Sequence, residues 1–80
     1  MQESLHRRRL RWKCRRGMLE LDSLLNNFLN LGYNALTLRE RAEFENLLNQ
    51  SDQKLFTWLL TGGGVPQEFT NVIKQIRANA

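Results

Sequence analysis

The sequence predicts an all-α protein, a compact bundle of about five short helices that forms one domain over residues 1–80. Two observations favour this fold. Apolar residues recur at intervals of three and four in successive segments, which is the period of an amphipathic helix. No run of alternating apolar and polar residues is long enough to build a sheet. Short connections between the segments then force neighbouring helices to pack together.

The first helix is predicted from Ser4 to Arg15, because the Ser4 hydroxyl can accept a backbone N–H group of the first turn. This stretch lies in a basic N-terminal segment, residues 1–16, which carries seven basic side chains and one acidic one, a net +6. The rest of the chain carries five basic and seven acidic side chains, a net −2. Two apolar pairs each share a helix face: Leu5 with Trp12, and Leu10 with Cys14.

The second helix is predicted from Met18 to Leu31, after the break at Gly17. Glu20 and Asp22 fall in its first turns, where carboxylates interact favourably with the positive end of the helix dipole. Gly32 is expected to end the helix in a left-handed conformation. The apolar stripe comprises Met18, Leu21, Leu25 and Phe28, widened by Leu24 and Leu31.

The remaining helices have clear start signals. Thr37 and Glu40 match a capping box that opens the third helix, which ends near Asn49. Ser51 or Asp52 caps a short fourth helix that ends at three consecutive glycines, residues 62–64. Pro66 suits the first turn of the fifth helix. Ala42 adjoins the apolar stripe, and the predicted core comprises Leu21, Leu25, Phe28, Phe44, Leu48, Leu55, Phe56, Leu59, Phe69, Val72 and Ile76.

The residue inventory argues against an enzyme. His6 is the single histidine and lies in a basic run, and no serine or cysteine has an evident general base. Glu20 and Asp22 point about 200° apart around a helix and cannot act as a carboxylate pair. Cys14 has no second cysteine and no zinc-ligand spacing, so we expect a partly buried helix residue, no disulfide and no metal site. No apolar run is long enough to cross a membrane.

Binding functions stay open on charge alone. Seven basic residues within the first sixteen could follow a phosphate backbone, although no recognition helix can be identified, which makes nucleic acid the weaker alternative. Leu5, Leu10 and Trp12 give the first helix too little apolar area for a membrane surface. The sequence from Arg16 to Glu20 places an arginine and a glutamate four residues apart around a glycine. This arrangement fits either an ordinary ion pair or an exposed corner that docks onto a partner.

The chain resembles the succinate dehydrogenase assembly factor family over roughly residues 9–77. Members of that family carry an R-G-x-x-E motif near the start, matched here by Arg16, Gly17 and Glu20, and bacterial members often continue with an apolar residue and an aspartate, as Leu21 and Asp22 do here. The other matching features follow in the family's order: Phe44 with Leu47 and Leu48, Ser51 with Asp52, Leu55 and Phe56 with Trp58 and Leu59, a glycine-rich turn, and Pro66.

This resemblance implies a five-helix bundle that binds the flavoprotein subunit of succinate dehydrogenase, and in some cases fumarate reductase, and promotes covalent attachment of FAD to a histidine of that subunit. FAD would be the partner's cofactor, with none held stably by this chain. Arg16, Gly17, Glu20 and Asp52 would contact the partner. Serine is sparse in the Arg-rich N-terminal segment and Glu3 is present, so we interpret this segment as mature protein and not as a mitochondrial presequence. The resemblance then implies a bacterial, cytoplasmic member, which we expect to be a monomer. An antitoxin role, assigned to some bacterial members, is the rival interpretation of the same family.

Overall fold

A computed structural model describes residues 4–79, which form five α-helices and contain no strand. Residues 1–3 of the predicted basic segment 1–16 lie outside the described residues, as does Ala80. Two short 3₁₀ turns and one π-helical turn, at Tyr33–Ala35, Gln67–Phe69 and Thr57–Thr61, supplement the α-helices. The prediction of a bundle of about five short helices is confirmed. The helices are α1 (Leu5–Lys13), α2 (Leu19–Leu31), α3 (Leu38–Leu47), α4 (Asp52–Phe56) and α5 (Thr70–Ala78).

Three helices begin with the side-chain caps that the sequence predicts. The Ser4 hydroxyl accepts the Arg7 backbone N–H at 3.1 Å. The Thr37 hydroxyl accepts the Glu40 N–H at 3.1 Å, and the Glu40 carboxylate accepts the Thr37 N–H at 2.9 Å. Ser51, rather than Asp52, caps α4 by accepting the Lys54 N–H at 3.2 Å. Each bond satisfies a donor that has no partner within the first helical turn.

The core is aromatic at two places. The Phe44 ring of α3 lies 5.3 Å from the Phe28 ring of α2 and 5.6 Å from the Tyr33 ring, measured between centroids. Trp58 and Phe69 form a second pair at 5.6 Å. Tilted contacts at these separations stabilise aromatic pairs beyond their buried area. Every predicted core residue is buried except Phe56, which is half-buried.

Four apolar residues expected near the core are exposed. Leu5 and Trp12 face solvent because α1 is short and buries one face only, the face of Leu10. Trp12 follows Leu10 by two residues and therefore points about 200° away from it around the helix. Leu31 is exposed in the last turn of α2, just before the chain enters the 3₁₀ turn, and Ala42 is exposed on α3.

Gly32 does not adopt the left-handed conformation predicted for it. Its φ of −117° and ψ of −23° are right-handed, because the chain continues directly into the 3₁₀ turn Tyr33–Ala35. Glycine is favoured here by packing instead. A Cβ atom at this position would lie 2.6 Å from Cε1 of Phe28, so a side chain would displace a core ring.

The chain between α4 and α5 turns through the glycine run. The π-helical turn ends at Gly62, whose φ of +78° is left-handed and whose N–H donates to the Thr57 carbonyl at 2.9 Å. Pro66 precedes the 3₁₀ turn Gln67–Phe69 in an extended conformation, so it leads into α5 instead of lying in its first turn. α5 then packs against both α2 and α3.

Candidate functional site

The connection between α1 and α2 forms an exposed turn, which we call the corner, residues 16–20. Gly17 and Glu20 are exposed, and Arg16 and Met18 are half-buried. Gly17 has a φ of +80°, a left-handed conformation that side chains disfavour. A Cβ built on Gly17 would meet no atom within 4 Å beyond its two chain neighbours. Glycine is therefore favoured here by backbone conformation, and the space above it is open to a partner.

The backbone of the corner is held by a carboxylate from inside α2. Oδ1 of Asp22 accepts the Arg16 N–H at 2.6 Å, and Oδ2 accepts the Gly17 N–H at 3.1 Å. Met18, which occupies the N-cap position of α2, provides no side-chain cap. One aspartate thus satisfies two consecutive donors of the loop, and hydrogen bonds to an ionised acceptor are stronger than neutral ones.

The Arg16 side chain is directed inward and is only 15% exposed. Its guanidinium donates to the carbonyl oxygens of Leu48 and Gln50, the latter at 3.3 Å, and to Oδ1 of Asp52 at 3.1 Å. Leu48 is the C-cap residue of α3, and Asp52 is the first residue of α4. A cation at a helix C-terminus interacts favourably with the last carbonyls and the helix dipole. Arg16 therefore ties the corner to the α3–α4 connection.

This arrangement corrects two sequence-based expectations. An exposed Arg16 donor fork is not formed, because both Nη groups of the guanidinium donate within the bundle. The ion pair between Arg16 and Glu20 is also not formed, since Arg16 pairs with Asp52 instead. Arg16, Gly17 and Asp52 are thus brought together around one turn. The Asp52 side chain is 48% exposed, so part of it still faces solvent beside the ion pair.

Two large apolar residues lie exposed near the corner. Leu19 is 84% exposed and Trp12 is 71% exposed. Together with Arg8, Arg15 and Asn26 they line a groove of about 550 Å³ between α1 and α2. Exposed apolar side chains rimmed by polar and charged ones mark interaction surfaces on soluble proteins. We call this feature the α1–α2 groove.

The basic residues of α1 divide into two groups. The Arg7 guanidinium lies over the Tyr33 ring at 5.2 Å, and Arg11 donates to Asn26 at 2.7 Å, so both attach α1 to the bundle. Arg8, Arg9 and Lys13 are exposed. The outer face of α1 is therefore positively charged and borders the α1–α2 groove, which favours encounter with an acidic surface.

The cysteine and the histidine of the described residues are both engaged within the bundle. Cys14 is fully buried, and burial raises the pKa of its thiol to about 11, an effect only partly opposed by Arg16. His6 pairs with Glu45 of α3 at 3.1 Å. Within residues 4–79 no group of side chains could hold a metal ion. The same residues contain no helix that is long and apolar enough to span a bilayer.

Sequence reasoning missed two features of this site. The sequence analysis did not identify Trp12 and Leu19 as exposed. Trp12 lies two residues after the buried Leu10, and Leu19 lies two residues before the buried Leu21, so each points to the opposite face of its helix. Asp22 was expected only to interact favourably with the helix dipole. No spacing rule predicts that its carboxylate accepts hydrogen bonds from the backbone of the preceding loop. Trp58, matched to the family motif, lies in the core against Phe69 and is 7% exposed.

Comparison with known proteins gives one consistent result. A family model described as "Flavinator of succinate dehydrogenase" matches residues 8–80. A relative from Coxiella burnetii, named FAD assembly factor SdhE, is 46% identical over 79 residues, which covers 96% of this chain and 95% of that protein. Relatives of the same name from Legionella pneumophila and Shewanella oneidensis are 42% and 38% identical and cover 86% and 90% of this chain, with 87% and 89% of their own lengths. No solved structure shows significant similarity.

Proposed function

Because the chain belongs to the Sdh5 family, whose model is described as the flavinator of succinate dehydrogenase, we propose that it is an assembly factor for that enzyme. It binds the flavoprotein subunit and promotes covalent attachment of FAD to it. FAD is the cofactor of the partner, and this chain holds no cofactor stably. The factor acts as a monomer in the cytoplasm. It is not an enzyme, because its contribution is to the conformation of its partner.

The structural observation that supports a docking role is the corner. Gly17 is exposed, has a left-handed conformation and has open space around its Cβ position. Glu20 is exposed on the first turn of α2, and Asp52, the ion-pair partner of Arg16, is partly exposed. A turn this free of neighbouring atoms allows another protein's backbone to approach closely. Within the predicted contact set, Gly17, Glu20 and Asp52 meet the partner, and Arg16 holds them in place.

The α1–α2 groove extends the docking surface beyond the corner. Trp12 provides a large, rigid apolar contact, the kind of side chain that often dominates binding energy at interfaces. Leu19, at the start of α2, adds a second apolar contact, and Arg8 and Arg15 supply positive charge at the rim. Apolar contacts give affinity, whereas the charged rim directs orientation and speeds encounter.

Promotion of flavin attachment then follows from population shift. A protein that binds one conformation of its partner better than another increases the population of that conformation in proportion to the difference in affinity. The Cys14 thiol is buried in the core and does not face a flavin bound to the partner. The bond-forming groups therefore belong to the flavoprotein and its FAD, and the factor selects the arrangement in which they react.

The test is covalent flavin on the succinate dehydrogenase flavoprotein, detected by in-gel fluorescence in cells that lack the factor and express single variants of it. We expect Gly17→Arg and Glu20→Ala to abolish or strongly reduce the signal. Gly64→Arg is a matched control, since Gly64 is also exposed, has a φ of +66° and has open space around its Cβ position. Either left-handed glycine replacement costs about 1–2 kcal/mol.

Equal stability of the two arginine variants, with covalent flavin lost only for Gly17→Arg, supports a docking corner. Undiminished flavin in stable Gly17→Arg and Glu20→Ala proteins would refute the proposed site. Glu68→Ala controls for loss of an exposed carboxylate elsewhere on the surface. A capture of nucleic acid instead of the flavoprotein by the wild-type chain from native lysate would favour the basic-surface alternative.

A further inference from the structure

We propose that Asp22 is a positioning residue, which fixes the corner in the shape that docks onto the flavoprotein. This inference rests on the proposed function. The carboxylate accepts the backbone N–H of Arg16 at 2.6 Å and that of Gly17 at 3.1 Å, one bond to each oxygen. Asp22 itself does not stand at the exposed tip of the corner. It acts on the partner through the backbone that it holds.

The chemistry of the clamp requires a carboxylate. Consecutive backbone N–H groups in a turn form a concave site for an anion. Here the chain supplies its own anion from α2, four residues after the N-cap residue Met18, which gives no side-chain cap. An asparagine of the same size has one acceptor and one donor group, so one loop N–H would face another donor. In the observed geometry, with one bond to each terminal atom, the amide keeps only one of the two bonds.

The corner needs such a clamp because Gly17 is conformationally free. Glycine populates left- and right-handed regions almost equally, so an unrestrained Gly17 would sample several corner shapes. The Arg16 guanidinium anchors the corner through its side chain to Leu48, Gln50 and Asp52. Asp22 anchors the backbone on the other side. When the competent shape is only a fraction of the population, the apparent affinity falls by that fraction.

The experiment uses the full chain, the purified apo-flavoprotein subunit and FAD. Covalent flavin is measured against factor concentration, and the amide resonances of Arg16 and Gly17 are followed by NMR. For Asp22→Asn we expect both amides to shift upfield and to exchange with solvent faster. The half-maximal factor concentration should rise about tenfold, the loss expected from one charge-assisted hydrogen bond. The maximal extent of flavin attachment should be unchanged at high factor concentration.

Glu40→Gln is the matched control, since Glu40 is also a helix-start carboxylate that accepts a backbone N–H. It should leave the half-maximal concentration unchanged. Asp22→Glu keeps the charge but displaces the carboxylate by one methylene, and it should fall between wild type and Asp22→Asn. If Asp22→Asn fails to fold, Asp22→Glu provides the same comparison. An equal loss in Glu40→Gln would show a general stability effect and would overturn the proposal.

The experiment distinguishes failure of the Asp22 clamp from failure of the proposed function. Unaltered Arg16 and Gly17 amides in Asp22→Asn would show that the clamp does not hold the corner. Altered amides with an unchanged half-maximal concentration would show that the clamp has no positioning role. A wild-type factor that never stimulates flavin attachment would refute the proposed function, and with it the positioning role, even if the amide shifts show that Asp22 holds the turn.

Discussion

The starts of α2 and α3 both use a carboxylate that accepts backbone N–H groups from preceding residues, yet they face different surroundings. At α3, Glu40 accepts the Thr37 N–H and also the side-chain amides of Asn71 and Gln75 from α5. That helix start is tied to the bundle. At α2, Asp22 reaches back to Arg16 and Gly17 and holds a turn whose outer side is open.

The two helix starts therefore differ in role: the α3 start stabilises the fold, whereas the α2 start fixes the shape of an exposed docking turn. The capping box of α3 satisfies local donors and links two helices, so its loss should weaken the fold without altering a docking surface. The α2 start contributes little packing at its tip, and its hydrogen bonds fix the shape of an exposed turn. Surface rigidity of this kind reduces the ordering cost of binding, which is where preorganisation raises affinity.

The largest expected effect is the difference in Cys14 reactivity between native and unfolded protein. Cys14 lies buried at the end of α1, just before the corner. Burial raises the pKa of its thiol from 9.0 to about 11, which lowers the reactive thiolate fraction about a hundredfold. We expect a thiol reagent to modify native protein at least about a hundredfold more slowly than protein unfolded in urea. Absorbance of the released reagent group measures both rates.

Cys14 also reports on which helix start has opened. Arg16→Ala should accelerate modification, although it removes a positive charge that lowers the thiol pKa and would by itself slow the reaction. Faster reaction therefore reports exposure of the buried thiol. Thr37→Ala, at the start of α3, should change the rate much less. Equal rates for native and unfolded wild-type protein would contradict the burial of Cys14.

The second prediction concerns the stability that Arg16 gives to the corner. Arg16→Ala should lower the free energy of unfolding by about 2–3 kcal/mol, because it leaves carbonyl oxygens of the α3–α4 connection without their charged donor. Thr37→Ala is the corresponding change at the start of α3 and should cost about 1 kcal/mol. Urea denaturation followed by circular dichroism measures both. An Arg16→Ala protein as stable as wild type would show that the inward contacts contribute nothing.

The same two helix starts show how far the sequence predicts this protein. The α3 start was predictable because Thr37 and Glu40 are three residues apart, and all their capping contacts lie within one turn. The role of Arg16 was not predictable from spacing, since its partners lie 32 to 36 residues away and meet it only after the bundle has packed. Local rules predict local bonds, whereas long-range contacts depend on the fold.

The sequence therefore selected candidate residues for the site but did not predict how their side chains are oriented. The family resemblance selected Arg16, Gly17, Glu20 and Asp52, and the structure brings Arg16, Gly17 and Asp52 around one turn. The resemblance could not indicate that the Arg16 side chain points inward. The exposed Trp12 was assigned to a thin apolar face, although a helix that buries Leu10 and Cys14 must turn Trp12 outward.

The smallest expected effect is the pH dependence of the α3 start. The hydrogen bond from the Thr37 backbone N–H, followed by the bond from the Asn71 amide, holds the pKa of Glu40 below its usual value. A carboxyl whose pKa is lower in the folded state stabilises the fold at pH values above its unfolded pKa. That contribution is lost as the pH falls through the folded pKa. Glu40→Gln removes the charge and keeps a side chain of similar size that still suits a capping box.

At neutral pH we expect the melting temperature of wild type to exceed that of Glu40→Gln by no more than a few degrees, because Glu40 is partly solvated. The difference should narrow below the usual glutamate range and disappear in stronger acid, where both side chains are neutral. Thermal melts of the two proteins over a pH series measure this difference. Subtracting the melting temperature of Glu40→Gln from that of wild type at each pH removes the effect of the other carboxyl groups, which titrate in both proteins. A difference that stays constant with pH would show that the charge of Glu40 is not what stabilises the α3 start. Covalent flavin on the partner should be unaffected by Glu40→Gln at neutral pH, because this carboxylate holds the bundle together and lies outside the corner.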